Sequence, residues 1–128
     1  MKSLTLMLVT LLALLCGSQS PWSDDGNARA AELQRFAITI KNHKVEPAQM
    51  LIRVTRGDAL ELEFSTDEAA ELHLHGYDKL IKVGPAAPAV LRLDATIAGR
   101  FSLEAHGFAS DESGQRHIVL LYLEVHPR

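Results

Sequence analysis

The chain has 128 residues, a formal net charge of −3, a single cysteine and six histidines. That length suits one domain rather than two. A lone cysteine cannot close a disulfide within the chain, and the absence of a basic run or an aromatic-basic stripe argues against a nucleic-acid partner.

The N-terminus reads as an export signal. Lys2 is the positive start, Leu4 to Leu15 is a continuous apolar run, and Cys16-Gly17-Ser18-Gln19-Ser20 supplies small residues for cleavage. Cleavage near Ser18 or Ser20 is expected, with Ala28-Arg29-Ala30 as a second candidate. Leu15 stands where a lipoprotein signal places a small residue, which counts against lipidation of Cys16. Residues 1–20 are thus expected to be removed, leaving a cysteine-free protein in the periplasm or outside the cell. No later stretch is apolar enough to span a bilayer.

Residues 21–33 read as a flexible, polar lead-in, and one domain is expected over 34–128. Phe36, Ile38 and Ile40 alternate with Ala37 and Thr39, a strand pattern. Lys41 to Pro47 reads as a turn, Met50 to Val54 as a strand, and Arg56-Gly57-Asp58 as a turn. Leu60, Leu62 and Phe64 alternate with Ala59, Glu61 and Glu63. Leu72 and Leu74 alternate with His73 and His75. Leu80 to Val83 leads into the rigid Gly84-to-Pro88 turn, and Val90, Leu91 and Leu93 form another strand. Ala98-Gly99 turns into Arg100 to His106, Gly107 to Gly114 reads as a loop, and His117 to Val125 is apolar on both faces, as a central strand is. Seven or eight short strands with dense turns predict an all-β, antiparallel Greek-key β-sandwich.

The chemistry concentrates in His73-Leu74-His75-Gly76-Tyr77-Asp78, with His106 and His117 downstream. Histidines at i and i+2 of a strand share one face. Imidazole suits Cu, Zn, Ni and Fe, so His73, His75, His106 and His117 are the candidate metal ligands. Asp78 reads as a turn cap in preference to a partner for a histidine. A ligand role for Glu104 is a minority reading. His43 and His126 read as solvated, Met50 as core, and Glu61, Glu63, Asp67, Glu68 and Glu71 as a solvated sheet face. No Gly-x-Ser-x-Gly elbow or Gly-rich phosphate loop is present.

The ordered parts resemble a cupredoxin. They are Phe36-Ala37-Ile38-Thr39-Ile40, Val45-Glu46-Pro47, Ile52 with Arg56-Gly57-Asp58, the His75-Gly76-Tyr77 corner, the Pro85-to-Pro88 turn, Gly99 to Leu103, and Leu123-Glu124-Val125. The resemblance covers about residues 34 to 126 and is nearest to small, single-domain, periplasmic copper-binding-like proteins. It implies that His75 stands at the first ligand position. Ala105 or His106 stands where such proteins carry a cysteine, and no methionine follows. The resemblance therefore implies fold, compartment and one ligand position, but not blue-copper electron transfer, which needs a His₂Cys set. The expected function is copper binding, buffering or delivery through histidines, without enzymatic activity. The expected partners are the metal ion and a periplasmic or membrane-complex protein. Two other readings stand beside it. One is a metal-free interaction domain. The other is an enzyme similar to copper-zinc superoxide dismutase, against which stand the missing cysteines, the short loops and the lack of a second ligand cluster.

Overall fold

The computed structural model describes residues 31–108 and 117–128. The expected signal and most of the expected lead-in lie outside these residues, as does most of the Gly107-to-Gly114 loop. Nine strands are described: β1 (Leu33–Lys41), β2 (Lys44–Val45), β3 (Leu51–Thr55), β4 (Ala59–Thr66), β5 (Ala70–Leu74), β6 (Lys79–Val83), β7 (Ala89–Asp94), β8 (Gly99–His106) and β9 (His117–His126). A single 3₁₀ turn, Pro47–Gln49, interrupts them. No helix among the described residues is long and apolar enough to cross a membrane.

The strands form a β-sandwich. One sheet has the order β2-β1-β4-β7 and the other β3-β9-β8-β5-β6. Each strand contributes its alternate side chains to a shared core. Ile38 and Ile40, Leu60, Leu62 and Phe64, Leu72 and Leu74, and Leu103 and Ala105 are all buried there. β9 lies between β3 and β8, and its apolar run has the central place the sequence implies.

The sheets are mixed, which corrects the expectation of a wholly antiparallel sandwich. β1 runs parallel to β4, from Leu33 opposite Ala59 to Ile40 opposite Thr66. β3 runs parallel to β9. The reason is connectivity. A hairpin forces neighbours to be antiparallel, but here the chain passes through the other sheet between β1 and β4, which frees the direction of the pair.

A buried acid holds one end of the sandwich. Asp58, expected only as a turn residue, is fully buried. Its Oδ2 accepts from the Gln34 side chain at 2.7 Å and from the Thr55 N–H at 3.0 Å. Its backbone carbonyl accepts from the Ala95 N–H at 2.8 Å. Met50 departs from expectation in the opposite sense. It is exposed, because it follows the 3₁₀ turn and precedes the first paired residue of β3.

The corner after β5 is equally constrained. Gly76 has φ +82°, and a Cβ there would overlap the Phe101 ring. Tyr77 packs edge-on against Phe101, and its hydroxyl donates to the Ile97 carbonyl at 2.9 Å. Gly76→Ala combines a left-handed backbone with a clash, and is expected to destabilise the domain by about 1–3 kcal/mol. Urea unfolding measures this; an unchanged midpoint would show that the corner relaxes freely.

Candidate metal centre

The histidines gather on the outer face of the five-stranded sheet. In β5, Leu72 and Leu74 are buried, so His73 between them points outward. His75 follows the strand on the same side, and its backbone N–H donates to the Ser102 carbonyl at 2.9 Å. In β8, Leu103 and Ala105 point inward, so Ser102, Glu104 and His106 face outward with His73. Strand pairing then sets the rows. His73 stands opposite Glu104, and Glu104 opposite Val119. His106 stands opposite both Glu71 and His117.

The register between β8 and β9 shifts after Leu103. Leu121 pairs with Leu103 and Val119 with Glu104, so Leu120 is the extra residue, and Leu120 and Leu121 are both buried. An extra residue in one strand changes which face the following side chains occupy. This bulge lets β9 keep its core residues and still present His117 on the outer face.

The rings approach closely. Centroids are 4.0 Å apart for His73 and His75, 6.0 Å for His73 and His106, 6.5 Å for His75 and His106, and 4.2 Å for His106 and His117. Two sets of donors result. His73, His75 and His106 each offer an atom within 4.8 Å of the others, and so do Glu104, His106 and His117. All four predicted histidines are therefore on one patch. His73 completes the set with His75 and His106, whereas His117 belongs to the other set, with Glu104. The two sets share His106.

Neighbouring groups set the electrostatics of the patch. The Nε2 atoms of His75 and His106 are buried and make no hydrogen bond among the described residues. The His75 Nε2 does lie 3.2 Å from a Glu104 carboxylate oxygen, an ion-pair contact when the imidazole is protonated. Buried polar atoms without partners are uncommon, and a missing ion is one explanation for them. His73 Nε2 lies 3.1 Å from Asp78 Oδ1. A proton held there leaves Nδ1 with its lone pair, as an outer carboxylate does for a ligating histidine. Asp78 thus meets a histidine, against its reading as a cap alone. Its φ of +53° folds the corner back toward β5.

Glu104 is the residue most undervalued by sequence reasoning. Its signal was its place two residues before His106, which in a strand means the same face. Burial raises its pKa, but the hydrogen bond from Ser102 and the neighbouring charges of His75 and His106 outweigh that, and the net shift is downward. His106 is also shifted down, first by burial and then by the charge of His117, with Glu104 opposing. His43 corrects a different expectation. It lies 2.8 Å from Glu68 and stacks on Phe108 at 4.1 Å, so it is not simply solvated. Glu61 is likewise more than a solvated acid, bridging Arg35 and Arg92. His126 is exposed at the C-terminus, as read.

No family model matches the chain, and neither does any curated protein. Solved structures share its fold. A copper binding protein, determined in solution in the apo form, superposes with a TM-score of 0.56 at 11% identity, over 77% of this chain and 92% of that one. A chain of a heme-copper terminal oxidase dimer gives 0.57 at 13% identity, over 73% of this chain and 65% of that one. The blue copper oxidase of Nitrosomonas europaea gives 0.54 at 16% identity, over 76% of this chain but only 40% of its own length. The fold is a cupredoxin-like β-sandwich.

The pKa shifts define a measurable property of the metal-free protein. His106 is expected to titrate below the ordinary 6.5, and Glu104→Gln to lower it further by removing the one influence that raises it. Because its folded pKa is depressed, the unfolded chain binds the proton more readily. The stability contributed by neutral His106 is present above pH 6.5 and is lost as pH falls through the folded value. Histidine proton resonances followed against pH test this; a rise on Glu104→Gln would contradict it.

Proposed function

We propose that this protein is an exported copper-binding module, in which Cu²⁺ is held by the imidazoles of His73, His75 and His106 in a binding role and not a catalytic one. The observation that carries the reading is that His73, His75 and His106 each offer a donor within 4.8 Å of the others, with the His106 Nε2 buried and without a hydrogen-bond partner among the described residues and the His75 Nε2 buried against Glu104. A neutral imidazole offers one lone pair, which a metal ion satisfies. Imidazole sets accept several first-row ions, and intrinsic affinity among the divalent ones peaks at copper. The copper proteins that share the fold support the same choice.

Copper held in this way differs from a blue site. The only cysteine, Cys16, is in the expected signal, and no cysteine occurs among residues 31–128. Without a thiolate the site lacks the ligand that blue-copper electron transfer needs. Buffering or delivery of copper in the periplasm fits an exported chain with a ligand set at its surface. When bound, the ion supplies a positive charge that compensates Glu104 and gives the buried His106 Nε2 the partner it lacks among the described residues. The chain orients the three rings through the β5–β8 pairing and the Asp78 contact.

A Cu²⁺ titration of the metal-free protein is expected to give a nitrogen-ligated, tetragonal electron paramagnetic resonance spectrum without an intense thiolate band. His75→Ala should weaken affinity by more than the ~10–100-fold that follows loss of an outer partner, and His126→Ala should leave it unchanged. Unchanged affinity in His75→Ala would contradict the site and favour a metal-free interaction domain, with exposed Leu80 and Val119 beside the histidines as its contact surface.

A further inference from the structure

We propose that the patch carries a second metal position, formed by Glu104, His106 and His117, which takes Zn²⁺ and excludes an ion from the first position because both need His106. The inference rests on the histidine patch being a metal site.

Three observations support it. The donors of Glu104, His106 and His117 lie within 4.8 Å of one another, as do those of the all-histidine set. They do not arise from a random cluster of surface acids. Glu104 and His106 are same-face neighbours in β8, and His117 faces His106 directly across the β8–β9 pair. The Glu104 carboxylate is also already aimed at imidazoles, 3.2 Å from His75 Nε2 and 3.8 Å from His117 Nδ1.

The donor types discriminate between the ions. Two imidazoles and one carboxylate, with a coordination position left open, form a recognised zinc set. Three imidazoles without a carboxylate leave copper as the stronger competitor at the first position. The sharing of His106 sets the stoichiometry. A neutral imidazole has one nitrogen lone pair, so it can serve one ion at a time unless it also loses its second proton. Two divalent ions on one patch would also repel strongly in a partly buried setting. Glu104 connects the two positions. Its Oε2 lies 3.2 Å from His75 and 3.8 Å from His117, so the oxygen that would ligate at the second position is the one that faces the first. An ion at the first position is neutralised by Glu104 from the side.

Separate Zn²⁺ and Cu²⁺ titrations of the purified protein, by calorimetry against a competing chelator, test the proposal. The wild type should bind one ion in total, and preloading with Cu²⁺ should abolish Zn²⁺ uptake. His117→Ala should weaken Zn²⁺ at least ~tenfold and leave Cu²⁺ within about twofold, His73→Ala should do the reverse, and Glu104→Gln should weaken Zn²⁺ more than Cu²⁺. His106→Ala should lose both. His117 is exposed, so its variant carries the test even if Glu104→Gln lowers stability. Zn²⁺ affinity that follows His73 and ignores Glu104 and His117 would overturn the second position while leaving the copper site standing. Simultaneous binding of two ions would overturn exclusivity. Failure of the wild type to bind either ion would overturn the metal reading itself.

Discussion

The candidate site depends on the register of three antiparallel partners, β5, β8 and β9. Side chains alternate with period two, so a slip of one residue would carry every outward histidine into the core and every core leucine into water. Burial of Leu72 and Leu74, of Leu103 and Ala105, and of Leu121 and Leu123 forbids that slip. Each of these leucines contributes on the order of 1.5–3 kcal/mol by burial. The core therefore positions the polar patch, and the patch has little part in holding the fold. That separation allows unpartnered nitrogens to persist on the outer face.

The patch then has a chemistry set by what it lacks and what surrounds it. With no cysteine among the described residues and Met50 in another strand connection, the donors on the patch are imidazole nitrogens and carboxylate oxygens. Glu104 supplies negative charge next to three histidines, and burial keeps His106 in the neutral form that a metal requires. Asp78 holds one side of His73, and the Gly76–Phe101–Tyr77 contact fixes the corner from which His75 projects. Fold, corner and electrostatics act on the same few residues from different sides.

Much of the strand pattern was legible because period-two alternation is a direct consequence of burying one face. The shared face of His73 and His75 followed from the same rule, as did the central place of the last strand. Parallel pairing of β1 with β4 was not legible, since it depends on crossovers between sheets that leave no local signal. The bulge at Leu120 and Leu121 was hidden for a related reason. Two adjacent leucines in a fully apolar strand read as a strand buried on both faces. Glu104, Asp78, His43 and Asp58 were undervalued because polar residues were weighed one at a time. Their partners lie at a distance along the chain or across strand pairs, and only the folded geometry couples Glu104 to His75 or Asp58 to Gln34.

The central claim is that copper binds imidazole nitrogens on this sheet face. Pulsed electron paramagnetic resonance of the Cu²⁺-loaded protein tests it most directly, because the remote nitrogen of a ligated imidazole modulates the echo. The account predicts modulation from several imidazoles that diminishes in His73→Ala and His75→Ala and persists in His43→Ala. Copper that shows no imidazole modulation, or modulation untouched by those two substitutions, would contradict it.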